Sequence, residues 1–182
     1  MRERAREVAA PLGLRLRAGL IDLGLALGWA GVVVGAYFGL RAVGVPLDFA
    51  PLALNLLGAT VIVLPVVIVL GLTEGGRYEA SPGKQWSGLR VRRLDGRPLG
   101  RPLALLRNVV KIVLPAVLIH AATLMLVTVQ LGPDVVVLLA IAISLPLSYL
   151  LLLCFGERRG PWDLVCESQV VQITLGRRFA VD

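Results

Sequence analysis

Arg15, Ala18 and Asp22 stand three and four residues apart in the stretch LRLRAGLID. A helix advances about 100° per residue, which puts Arg15 about 20° and Ala18 about 40° from Asp22. The three share one face, and Arg17 points well off it. Arg15 and Asp22 are still about 10 Å apart along the axis at about 1.5 Å per residue. A direct pair is stretched, so a third group from another segment is expected between or beside them. From Leu23 the chain runs on apolar to Leu40. A carboxylate at the mouth of a membrane span is tolerable when a cation neutralises it and it faces protein. The chemistry this suggests is charge pairing, binding or gating.

Other chemistry-bearing groups are sparse. His120 is the single histidine and falls near the centre of an apolar run. Thr60, Thr123 and Ser144 are expected near the same depth, with Asn55 nearer the outside and Ser148 and Tyr149 nearer the inside. No carboxylate sits at mid-depth. Gly83-Lys84 resembles the end of a phosphate-binding loop, but Tyr78 and Gln85 occupy the positions that need Gly and Ser/Thr. The chain has no GxSxG and no HExxH, so no catalytic residues are assigned and an enzyme is not expected. Cys154 and Cys166 fall on or near the expected cytoplasmic side, where thiols stay reduced. No metal ligands stand at the usual spacing, and no cofactor is expected.

The elements that must position these residues are read from composition. Hydrophobic residues make up 57% of the 182 and charged residues 17%, against about a quarter charged in a soluble domain. Four apolar runs each approach the roughly 20 residues that cross a hydrocarbon core: Leu20–Leu40, Leu52–Leu72, Ile112–Leu131 and Val135–Phe155. The expected fold is an all-α membrane protein, a four-transmembrane-helix bundle in one domain, 1–182. It has a polar cytoplasmic loop, 73–108, and a cytoplasmic tail, 156–182. With four spans, 18 of the 19 basic residues fall on one side, all but Arg41. The positive-inside rule makes that side cytoplasmic, with both termini inside. The net charge of +7 is then a topology signal and an attraction to the anionic headgroups of the lipid bilayer; nucleic acid is not an expected partner. The N-terminal segment to Leu14 is expected to be interfacial or frayed. Within the loop, LRVRRLDGRPLG has a strand-like run and then Asp95-Gly96, which favours a short hairpin. A short helix is expected after Ser81, and Trp86 and Trp162 are expected as anchors at headgroup depth.

Gly24, Gly28, Gly31, Gly35 and Gly39 are spaced four, three, four and four. All fall roughly 180–260° from Asp22 on a helix. They form a small-residue stripe of the kind that lets helices approach closely, opposite the Arg15/Asp22 face. It is expected to meet a neighbouring span or a second copy, so a homo-oligomer or a membrane-protein partner is anticipated.

RLRAGLID resembles the opening signature of the RDD family of bacterial membrane proteins, selecting Arg15, Ala18 and Asp22. SPGKQWSGLRVRRLDGRPLGRPLALLRN is similar to that family's Thr-Pro-Gly-Lys block, here Ser81 to Lys84, and its downstream arginine, here Arg107. RRGPWDL resembles the closing block and supplies a second aspartate, Asp163. Here Trp162 stands where the family usually has His, and Cys166-Glu167-Ser168 replace the usual small residues. The resemblance implies an integral protein of the bacterial cytoplasmic (inner) membrane. It implies transport, with cation/proton exchange in some members, and partnership with membrane complexes in others.

An Arg15/Asp22/Asp163 polar cluster at the cytoplasmic mouth is the expected site, with Lys84, Arg107 and His120 as possible supporting groups. The expected role is transport-associated, for a small solute or for cation/proton exchange. The alternative is a non-transporting scaffold or subunit that holds a partner protein or lipid.

Overall fold

The computed structural model describes residues 6–47, 49–128, 132–154 and 159–174. Arg2, Arg4, Arg158, Arg177 and Arg178, which enter the topology argument, lie outside them, as do Leu131 and Phe155 at the ends of the last two expected spans. In chain order the elements are β1 (Arg6–Ala9), α1 (Leu12–Ala42), α2 (Pro51–Glu74), α3 (Pro82–Trp86), β2 (Leu89–Arg93) and α4 (Arg101–Asn108). There follow a π-helical turn (Val109–Val113), α5 (Leu114–Thr128), α6 (Pro133–Cys154), α7 (Pro161–Val165) and β3 (Ser168–Thr174).

Three helical stretches are long and apolar enough to cross a membrane among the described residues: Leu12–Ala42, Leu52–Glu74 and Arg101–Ala122, with mean hydropathies of 1.8, 2.6 and 1.8. The first begins eight residues before Leu20, because the Arg15/Ala18/Asp22 face is already helical. The third begins at Arg101, inside the segment 73–108 expected as loop. Arg107 and Asn108 therefore belong to the helix. Prolines explain two irregularities. Pro115 has no N–H to give the Lys111 carbonyl, and the turn just before it takes the wider π form. Pro65 likewise leaves the Val61 carbonyl without its helical partner. The Trp29 indole N–H of α1 donates to it at 3.1 Å, joining α1 to α2 near mid-depth.

The fold is mostly helical but not all-α. A three-stranded antiparallel sheet runs β1-β3-β2. Ala9 pairs with Val171 and Arg6 with Thr174; Leu89 pairs with Gln172 and Arg93 with Ser168. The alternation that marks β2 is real, with Leu89 and Val91 buried and Arg90 exposed. The turn at Asp95-Gly96 contributes only a single bridge, Arg92 to Pro98. The partner of β2 comes instead from the tail, some eighty residues on, and the N-terminal segment expected to fray supplies the third strand. Pairing at that distance leaves no trace in a local pattern.

Helix α1 packs on α2, α2 on α4 and α5, and α5 on α6, while α3 lies against the start of α1. Among the described residues α1 and α6 have no comparable contact. The apolar core sits at the end that carries the sheet. One cluster joins Ala10, Ala18, Leu89 and Val170; another joins Val91, Leu99, Ala104 and Cys166. Trp162 is buried against Tyr149, ring centroids 4.0 Å apart, and is not an interfacial anchor. Trp86 is 66% exposed.

Candidate functional site

The site begins with two glycine contacts between α2 and α4. A Cβ on Gly71 would lie 2.5 Å from Leu105, and one on Gly75 would lie 2.5 Å from the Arg101 Cα. Only glycine permits this approach. It brings Glu74, the last residue of α2, against the last turn of α4. There the Glu74 carboxylate, with no exposed surface, accepts from Arg107 Nη1 at 2.6 Å and Asn108 Nδ2 at 3.0 Å, and pairs with Lys84 Nζ.

Lys84 arrives on α3, whose docking on α1 is equally close. A Cβ on Gly83 would lie 2.2 Å from the Ala18 carbonyl oxygen. Ala18 is buried with Arg15 and Asp22 on one face of α1. Asp22 Oδ1 accepts from the Gly83 N–H at 2.8 Å, and Oδ2 accepts from Ser81 Oγ at 2.6 Å. Ser81 and Gly83 are the N-cap and second residue of α3, whose first N–H groups lack intrahelical partners. A carboxylate from α1 thus caps α3 in place of the usual local side chain. Ser81 Oγ also accepts from Lys84 Nζ at 3.1 Å.

On the other side Arg107 reaches Asp163, donating Nε at 2.9 Å and Nη2 at 2.7 Å to Oδ1. Asp163 Oδ1 also accepts from Ser168 Oγ at 3.0 Å, and Oδ2 accepts from the Gly160 N–H at 3.0 Å, closing the start of α7. Burial by itself would raise the Asp163 pKa. The Arg107 guanidinium, the Gly160 N–H and the Ser168 hydroxyl outweigh it and hold the carboxyl below its ordinary value. Cys166 beside it is buried, which pushes its thiol pKa up; this is the setting of a structural thiol.

One hydrogen-bonded chain therefore runs Asp22, Ser81, Lys84, Glu74, Arg107, Asp163, Ser168. It ties α1, α3, α2, α4, α7 and β3 together. Arg15 is buried but turned toward the sheet, donating Nε to the Ala10 carbonyl at 3.1 Å and Nη2 to the Val170 carbonyl at 2.9 Å. The structure brings Asp22 and Asp163 into one network through Lys84, Glu74 and Arg107; the third group expected beside Asp22 is the start of α3. His120 is elsewhere: with Thr60 it lines an apolar groove of about 430 Å³ between α2 and α5. The glycine stripe is also elsewhere. A Cβ on Gly24, Gly28, Gly31, Gly35 or Gly39 would meet nothing within 4 Å, so no neighbouring span among the described residues covers it.

Glu74, Asn108 and Lys111 had escaped the sequence reading. Gly71 and Gly75 form a small-xxx-small pair with Glu74 just inside it, the signal that marks a close helix approach. Among the described residues no three His, Cys, Asp or Glu side chains converge as a metal site would require. Chemically the arrangement holds charge and aligns helices; no nucleophile is paired with a base.

A family model described as the RDD family matches residues 9–167. No curated protein and no solved structure matches the chain.

Proposed function

The chain belongs to the RDD family, and from that premise we propose that it is a multi-pass scaffold of the bacterial cytoplasmic membrane, holding a partner protein or lipid at a rigid inner end. The single observation that carries this reading is the continuous chain of buried hydrogen bonds and ion pairs from Asp22 to Ser168. It pairs Glu74 and Asp163 with Lys84 and Arg107 and joins the helix ends to the sheet, as a clamp would. The proposed topology has four spans, with α6 as the fourth, and both termini inside. The sheet supports that number: β1 precedes α1, β2 follows α2 and β3 follows α6. Strands of one sheet cannot lie on opposite sides of a bilayer, so an even number of crossings separates each from the next. The distribution of 18 of the 19 basic residues supports the same side being cytoplasmic.

A second reading, cation/proton exchange or solute transport, is favoured by one feature. A cavity of about 30 Å³ at the inner mouth is lined by Arg15, Asp22, Lys84, Arg107, Lys111 and Tyr149. Proteoliposomes carrying an internal pH dye separate the two. The scaffold reading expects no Na⁺- or K⁺-driven pH change above empty vesicles. It also expects cross-linking in native membranes to trap the protein with a partner. A cation-driven proton flux that Asp22→Asn abolishes without lowering folded yield would replace it with the transport reading.

A further inference from the structure

Polar side chains along the long helices find partners within the chain. Thr60 Oγ1 donates to the Leu56 carbonyl at 2.8 Å, Ser144 Oγ to the Ile141 carbonyl at 2.8 Å, and the Trp29 indole to the Val61 carbonyl at 3.1 Å. His120, the single histidine of the sequence, is the exception. It makes no hydrogen bond and no ion pair among the described residues. An imidazole always carries at least one N–H donor, and hydrocarbon gives a donor nothing to bond.

His120 opens on the groove of about 430 Å³ between α2 and α5. The α2 wall of this groove runs from Leu52 to Leu64, about 18 Å at about 1.5 Å per residue. Spread over that length, the volume is a slot about 24 Å² in section, the width of one extended hydrocarbon chain. A helix, about 10–12 Å across, needs several times as much, so a span of another protein does not fit inside. The walls are aliphatic, and the polar residues in the lining are His120 and Thr60. Thr60 has given its proton to Leu56 and keeps oxygen lone pairs to accept with. The two side chains are matched by a group that both accepts and donates. A hydroxyl does so, whereas the acyl chain of a phospholipid brings no polar atom to this depth.

We propose that the α2/α5 slot binds one single-chain lipid of the bilayer through a hydroxyl held by His120 and Thr60, with its hydrocarbon lying along Ala59, Val63 and Ala116. Long-chain alcohols and prenols share this chemistry. An apolar cavity with a few polar groups to fix orientation is the usual form of a small-molecule site. The slot is separate from the buried charges at the sheet end, and the inference holds whether the protein scaffolds or transports.

The test uses the full, untagged chain in mild detergent. With one histidine in the sequence, ¹⁵N-histidine labelling reports on this site alone. Hexadecanol is the probe and is expected to shift the imidazole ¹⁵N resonances saturably, while hexadecane leaves them in place. Thr60→Ala should weaken hexadecanol about fivefold, the effect of one hydrogen bond. Ala116→Phe fills the slot and should abolish the shift, and Ser144→Ala, outside the lining, should leave it as in wild type. No saturable shift with hexadecanol would overturn the proposal, as would an equal shift with hexadecane; both comparisons use the unaltered protein and need no variant to fold. A shift that survives Ala116→Phe would overturn it too.

Discussion

The two faces of α1 are opposites. One, at the inner end, carries Arg15, Ala18 and Asp22, all buried. The other carries five glycines that touch nothing within 4 Å. The contrast extends to the whole molecule. Its sheet end buries charge and its long helices expose Leu, Val and Phe, the reverse of a soluble protein. The sheet end is held by directed bonds and close backbone approaches together with its two apolar clusters, whereas along the exposed spans hydrocarbon gives apolar side chains little reason to associate. In the apolar half one tether is the Trp29 hydrogen bond to Val61. The chain specifies its sheet end by itself and leaves the apolar surface of its long helices exposed.

The sharpest way to break this contrast is Arg107→Ala. It leaves Glu74 and Asp163 buried without a shared cation, a loss of about 3–5 kcal/mol for a fully buried pair. Thermal unfolding in detergent should show it as a collapse of monodisperse yield. Near-wild-type stability would mean that the inner end is not held by its charges.

Asp163→Asn should cost less, because Arg107 keeps Glu74. It also carries a pH signature. The folded-state pKa of Asp163 is lowered from 3.8, so its stabilising contribution is present above 3.8 and is lost as pH falls through the folded value. The stability gap between wild type and Asp163→Asn should stay constant from pH 8 to about pH 5 and close in stronger acid. A gap that closes already between pH 8 and pH 5 would contradict the pairing with Arg107.

The smallest effects compare glycine with glycine. Gly83→Ala drives a Cβ against the Ala18 carbonyl and the Asp22 carboxylate and should cost about 1–3 kcal/mol, as overpacking does. Gly31→Leu enters open space and should change the stability of the isolated chain by less than about 0.5 kcal/mol. Its effect, where there is one, belongs to assembly, read by cross-linking in membranes. Equal destabilisation by the two would erase the difference between the faces.

Much of this was legible in the sequence. The buried face of α1 follows from helical spacing alone, since Arg15, Ala18 and Asp22 can share a side only if helix begins well before the apolar run. The spacing also makes a direct Arg15–Asp22 pair stretched and leads to the expectation of a third group between or beside them. That the group beside Asp22 is the start of α3 was not legible, because capping by a carboxylate 59 residues away is a tertiary fact. Glu74 was passed over because it closes an apolar run and reads as an ordinary terminal charge. Its meaning depends on Gly71 and Gly75 drawing α4 close. The sheet was half legible: Leu89–Arg93 alternates as a strand should, but β1 and β3 owe their pairing to chain ends brought together by the helices.

The order β1-β3-β2 also sets a timing. The central strand is Ser168–Thr174, the last of the three to leave the ribosome. β1 and β2 are not neighbours, so neither can complete the other while synthesis continues, and each waits with an open edge. On the proposed topology, α1, α2, α5 and α6 have all been made before β3 appears. Its arrival closes the sheet and brings Asp163 to Arg107 in the same step. A ribosome that stops short of residue 168 leaves behind a protein with its long helices made and two unpaired strands, a feature by which quality-control proteases recognise an unfinished product.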